Sequence, residues 1–169
     1  MLRLISLLLA GTLALAACTA PEYDNSSSGS RPANAYRIRS GDVDKIQFRM
    51  LDSVNSLRSA SGAGPVQLNA QLNAAAATHS RDMSVQNRPW HFGSDGSSPI
   101  DRTARAGYTG RFLGENISET YETEIETLGA WMDQPGTRDV ILDPTAVNMG
   151  FAWYQEKSGK IWWTMILGG

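Results

Sequence analysis

Val147-Asn148-Met149-Gly150-Phe151-Ala152-Trp153 and, past Ser158-Gly159, Ile161-Trp162-Trp163-Thr164-Met165-Ile166-Leu167 close the chain with two alternating runs. Val147, Met149, Phe151 and Trp153 fall at every second position, and so do Ile161, Trp163, Met165 and Leu167. Successive side chains of a strand point to opposite faces, so each run offers one continuous apolar face. A turn dipeptide between two such runs predicts an antiparallel hairpin. Trp162 and Trp163 point to opposite sides of their strand, and one of them is expected at the surface.

Upstream, Phe112 to Ser118 reads as a further strand, and the remaining apolar periodicity is helical. Ile46, Met50, Val54 and Leu57 mark a first helix, with Asp42 and Asp44 suited to its first turn and Gly62 and Gly64-Pro65 as its stop. A second runs from about Ala70 to Asn87 behind Asn69 as N-cap, with Leu72, Ala76, His79 and Met83 as its stripe. Ser98-Pro99-Ile100-Asp101 joins a capping box to a proline at the first helical position, predicting a short helix to Ala106 that stops at Gly107. Glu122 to Asp133 predicts another, with Ile125, Leu128 and Met132 on one side and Pro135-Gly136 ending it. Helices with short strands between them and a closing hairpin predict an α+β layered fold.

The whole chain has 169 residues, 41% hydrophobic and 19% charged, which suits one folded domain and excludes a disordered or fibrous protein. Fifteen Lys and Arg against 17 Asp and Glu give a net charge of −2, without the basic field that nucleic acid demands, so no nucleic-acid partner is expected. One cysteine excludes an intrachain disulfide framework and a multi-thiolate zinc site, and two histidines restrict metal and general-base chemistry to a few positions.

That cysteine ends an apolar run. Residues 4–17 are apolar except for Ser6, Gly11 and Thr12, and Arg3 precedes them. The run is shorter than the roughly twenty residues a membrane span needs and reads as a secretory signal peptide over residues 1–17. Leu15-Ala16-Ala17-Cys18 resembles the bacterial lipobox, which implies lipidation of Cys18 and a membrane anchor through it; an ordinary signal cleaved after Ala17 or Ala20 is the alternative. Residues 18–41, with Asn25-Ser26-Ser27-Ser28-Gly29-Ser30 and Pro32, then read as a flexible tether. By the same resemblance, Thr19 after the cysteine favours the outer membrane of a Gram-negative cell.

Within residues 42–169 an ordered set of motifs is recognisable. It comprises His79-Ser80-Arg81-Asp82-Met83, Trp90-His91-Phe92-Gly93-Ser94-Asp95-Gly96-Ser97-Ser98-Pro99 and Gly107-Tyr108. Gly114-Glu115-Asn116-Ile117, Trp131-Met132-Asp133-Gln134-Pro135-Gly136 and Trp162-Trp163-Thr164 follow. The set resembles the CAP superfamily, or SCP domain, of cysteine-rich secretory, antigen 5 and pathogenesis-related proteins, in its disulfide-free bacterial secreted branch. The resemblance implies a three-layer α-β-α sandwich, secretion, and a cleft where two His and two acids can hold a divalent metal. Neutral imidazoles and carboxylates suit a zinc-like ion, which needs at least three protein ligands.

Carried over residue by residue, His91 matches the first His and Glu115 the first acid. Gln134 stands where animal and plant relatives have Glu, and Thr137 where bacterial members have the second His. Asp133 is next to the vacant acid position, but one residue along a helix turns a side chain by roughly 100°. Two of four positions therefore match. No cofactor is expected, and a divalent zinc, magnesium or calcium would rest on His91 and Glu115 at most.

Each candidate also has a plain structural reading. His79, twelve residues before His91, is a weaker cleft candidate as a substitute ligand, but it lies on an apolar helical stripe and is expected to be a partly buried, hydrogen-bonded core residue. His91 lies in a loop between two aromatics, where functional residues concentrate. Glu115 lies in an apolar strand and needs a partner, such as His91 or backbone amides. Ser94, Ser97 and Ser98 near His91 and Glu115 raise a serine-hydrolase alternative, against which Ser98 already has a capping role. The expectation is an envelope-anchored, extracytoplasmic lipoprotein that binds or scaffolds through a cleft around His91 and Glu115. Its partner would be a small ligand, an envelope lipid or glycan, or a protein. A metal-assisted or serine-type hydrolase acting on peptide or cell-wall substrates is the alternative, and with Gln134 and Thr137 in place an enzyme is the less expected outcome.

Overall fold

The computed structural model describes residues 36–119 and 121–169. The expected signal peptide, Cys18 and most of the expected tether lie outside the described residues. Among the described residues, five α-helices and four strands follow in the order α1 (Val43–Ala60), β1 (Gln67–Leu68), α2 (Ala70–Gln86), α3 (Pro99–Arg105), β2 (Phe112–Ser118), α4 (Glu124–Asp133), α5 (Pro135–Leu142), β3 (Asn148–Gln155) and β4 (Ile161–Gly168). The strands form one sheet in the order β1-β3-β4-β2. β3 and β4 are the expected hairpin, antiparallel from Asn148 opposite Gly168 to Gln155 opposite Ile161. β2 pairs antiparallel with β4, and the two-residue β1 pairs parallel with β3.

Alternation along the hairpin builds two cores. Met149, Phe151, Trp163, Met165 and Leu167 pack against Ile46, Met50 and Val54 of α1, Leu128 and Trp131 of α4, and Ile141 of α5. Ala152 and Ile166 face the other way, onto Leu72, Ala75 and Ala76 of α2. The fold is thus a mixed α+β sandwich with helices on both faces of the sheet. Trp162 and Trp163 are accordingly both fully buried, contrary to the expectation that one would be exposed. A sheet covered on both sides has no surface face to offer.

Two further expectations are corrected. Of the stripe read from the sequence, Leu128 is buried and Met132 packs against the core, but Ile125 is 43% exposed, and α4 buries Glu124, Thr127 and Trp131 beside Leu128. α4 ends at Asp133 before extended Gln134, as Pro135-Gly136 led one to expect, but Pro135 then opens α5, a helix the sequence reading lacks. The packed contacts also begin before Asp42, since Tyr36 and Ile38 pack against the larger core and Gln155 bonds the backbone of both.

Close approach of α2 to the sheet depends on Gly150, where a Cβ would lie 2.3 Å from the carbonyl carbon of Leu72. This tight seam brings the middle of α2, with His79, directly over the sheet.

Candidate functional site

Four side chains from four segments converge on the α2 face of β2. Asn69 caps α2, accepting from the amide of Leu72, and Asn87 ends it in the left-handed region at φ 48°. Between these ends His79 points inward on the stripe of Leu72, Ala76 and Met83. The chain then folds back: Trp90 Nε1 donates to Gln86 Oε1 at 2.9 Å and Gln86 Nε2 donates to the Phe92 carbonyl at 3.2 Å. The Arg88 guanidinium lies 3.9 Å from the Trp90 ring centroid, and Phe92 packs on the same indole at 5.3 Å. His91 is thereby held at the surface with half of its side chain exposed.

α3 starts at the predicted capping box, in which Ser98 and Asp101 bond reciprocally behind Pro99. Arg102 points from it into the interior, where its Nη1 donates to the Ser97 carbonyl at 3.2 Å. From β2, Glu115 points to the same place. Its register partner Ile166 belongs to the α2-side core, whereas Asn116 is paired with Met165 of the opposite core.

The Glu115 side chain is 1% exposed, and its charge is met inside the protein. Arg102 Nη2 lies 2.8 Å from Oε2 and 3.0 Å from Oε1, and His91 Nδ1 is 2.9 Å from Oε1. A carboxylate can only accept, so this contact calls for a proton on His91 Nδ1, and in the neutral ring that tautomer leaves Nε2 as the acceptor. His79 Nε2 is 3.6 Å from Oε1, too far for a hydrogen bond, and the Trp90 backbone acts on the ring without completing one. Burial lowers the His79 pKa, with Glu115 opposing the shift, so the ring is neutral. His79 is thus a fully buried group without a well-formed bond, where a partly buried, partnered one was expected.

The other candidates lie elsewhere. Thr137 Oγ1 donates to the Trp131 carbonyl at 2.5 Å, and the Thr137 carbonyl accepts from Asn116 Nδ2 at 2.9 Å, on the sheet face away from Glu115. Asp133 and Gln134 border a separate surface depression with Tyr121 and Glu126. Each serine hydroxyl is committed: Ser94 to Asp82, Ser98 to Asp101 and Ser97 to Asp95. None is bonded to a histidine, and the serine-hydrolase alternative gains no support from this arrangement. Among the described residues, no three His, Cys, Asp or Glu side chains are grouped to hold a metal. The divalent ion that the resemblance implies does not fit the cluster as it stands, because the guanidinium already contacts both Glu115 oxygens.

Arg102 is the member that sequence reasoning missed. Its signal was a strand carboxylate in need of a partner together with an arginine one turn into a capped helix, but sequence spacing does not say that the two meet. Arg102 also borders an open groove of about 640 Å³, with Ala74, Thr78 and Val85 of α2, Ser97 and Arg105.

A model of the cysteine-rich secretory protein family, CAP, matches residues 51–167. The uncharacterized protein YkwD of Bacillus subtilis (strain 168) is 27% identical over 150 residues, covering 86% of this chain and 58% of the relative. The chain thus spans less than two thirds of that relative's length. An extracellular SCP-domain protein from Bacillus anthracis aligns with TM-score 0.66 and 21% identity over 79% of this chain and 45% of that one. An outer surface protein of Borrelia burgdorferi aligns with TM-score 0.67 and 14% identity over 75% of this chain and 94% of that one.

Proposed function

The chain belongs to the cysteine-rich secretory protein (CAP) family, and from that premise we propose that it works outside the cytoplasm as a ligand-binding or scaffolding module. The observation that carries this reading is the half-exposed His91, oriented through Nδ1 by buried Glu115. An imidazole fixed in this way presents Nε2 as an acceptor to a ligand hydroxyl or amide, at no cost of ordering when the ligand arrives. The groove that borders Arg102 gives such a ligand an adjoining surface in which Ala74, Ala75 and Val85 are flanked by the charges of Arg81, Asp82 and Arg105. An envelope glycan, a lipid head group or a partner peptide each has the donors that His91 Nε2 would take.

The test is a binding screen of the full chain against cell-wall glycans, phospholipid vesicles and peptides, repeated on His91→Ala and Glu115→Gln. Loss of one hydrogen bond and its orienting partner should weaken binding about tenfold or more. A ligand held equally by the native chain and both variants would contradict the reading.

The chain is further proposed to be tethered to the envelope through acylated Cys18, in the outer membrane where the cell has one. Mass spectrometry of the native N-terminus should find diacylated or triacylated Cys18 as the first residue. An unmodified N-terminus would contradict anchoring.

A further inference from the structure

Glu115 is surrounded by the kinds of groups from which a metal site is built, yet the cation that meets it is a side chain. Arg102 is no surface arginine that happens to reach inward. Its side chain is 4% exposed, the Ser97 carbonyl fixes Nη1, and Nη2 lies within 3.0 Å of both carboxylate oxygens. The ring nitrogens nearest Oε1 are His91 Nδ1 at 2.9 Å and His79 Nε2 at 3.6 Å. In a tetrahedral zinc site with ligand bonds of about 2.0–2.1 Å, neighbouring ligand atoms are about 3.3 Å apart, a value between these two. His79 is neutral and buried, and it completes no bond in the native arrangement.

We propose that Arg102 is the built-in cation of this cleft, closing Glu115 to divalent metal, so that His79, His91 and Glu115 cannot act together as ligands while the guanidinium is in place. One buried carboxylate can balance one cation. A divalent ion beside an unscreened guanidinium would meet repulsion in a low-dielectric interior, so the two exclude each other. Removing the guanidinium leaves a buried carboxylate facing two imidazoles, a set of borderline ligands that prefers zinc to magnesium or calcium. The proposal does not depend on what ligand the cleft binds.

The experiment titrates zinc, magnesium and calcium into the full chain and follows melting temperature and heat of binding. The native chain should be indifferent to all three metals and to EDTA. Arg102→Ala should melt lower than the native chain, and zinc should raise its melting temperature. Zinc should do nothing for Arg102→Ala combined with His91→Ala. Arg102→Gln, closer in size to the guanidinium, takes the place of Arg102→Ala if that variant does not fold. Metal stabilisation of the native chain that disappears in His91→Ala overturns the proposal. So does an Arg102 variant that zinc stabilises no more than its His91→Ala counterpart.

Discussion

Two buried arginines hold this structure together at the level of single residues, each in a different way. Arg102 faces a carboxylate, and removing one partner of a buried pair leaves the other charge without compensation. Arg102→Met should therefore cost about 3–5 kcal/mol in chemical denaturation, and much less when Glu115→Gln is already present. Equal costs in the two backgrounds would deny the pairing. Arg58 is fully buried and bonds only backbone: it donates to the carbonyls of Gly64, Ile141, Asp143 and Ala146 at 2.8–3.0 Å. It fastens the end of α1 to the segment between α5 and β3, and Arg58→Met should cost roughly 3 kcal/mol or more. His79 supplies a pH dependence. Its folded pKa lies below the unfolded value of about 6.5, so the unfolded chain binds the proton first on acidification. Stability should fall as pH drops below about 6.5 and level off below the folded pKa. His79→Gln should flatten this part of the stability–pH curve, and an unchanged slope would assign it to other groups.

At the level of elements, caps and close approaches were unequal in legibility. The Ser98 capping box, the Asn69 cap and the hairpin were legible because each is written in neighbouring residues. Ser98→Ala should destabilise the short α3 and the protein by about 1 kcal/mol, measured by urea denaturation. The end of α4 at Asp133 was legible, but α5 was not, because Pro135-Gly136 looks only like a terminator. Proline breaks the helix before it and opens the one after it, and extended Gln134 permits both. Ile125 was misplaced because α4 contains several apolar residues, and the position of α1 decides which stripe faces inward. Gly150 looks like a weak point in a strand, but the structure gives it a steric reason. Gly150→Ala should lower stability by about 3 kcal/mol or more, since the Cβ meets Leu72 backbone and not a flexible side chain. A loss below about 1 kcal/mol would show that α2 can shift away from the sheet.

For the molecule as a whole, the α+β layering followed from periodicity, because alternation and helical spacing are local properties. Which faces would be covered did not follow. Burial of both Trp162 and Trp163 depends on α2 on one side and α1 with α4 on the other, contacts that no short window of sequence contains. The candidate site divides in the same way. His91 and Glu115 came from the family pattern and do meet, and His79, a weaker candidate, lies beside them, while Arg102 became visible only once four distant segments were in place. Gln134 and Thr137 remain apart from them, on other surfaces of the sandwich.

The central claim is that Glu115, neutralised by Arg102, orients His91 and leaves its Nε2 open to a ligand. With only two histidines in the chain, nitrogen-15 NMR of the imidazoles tests it directly. In its neutral form His91 should be the Nδ1–H tautomer, unchanged by added zinc and altered in Glu115→Gln. An Nε2–H tautomer, or a zinc-dependent change in the native chain, would contradict it.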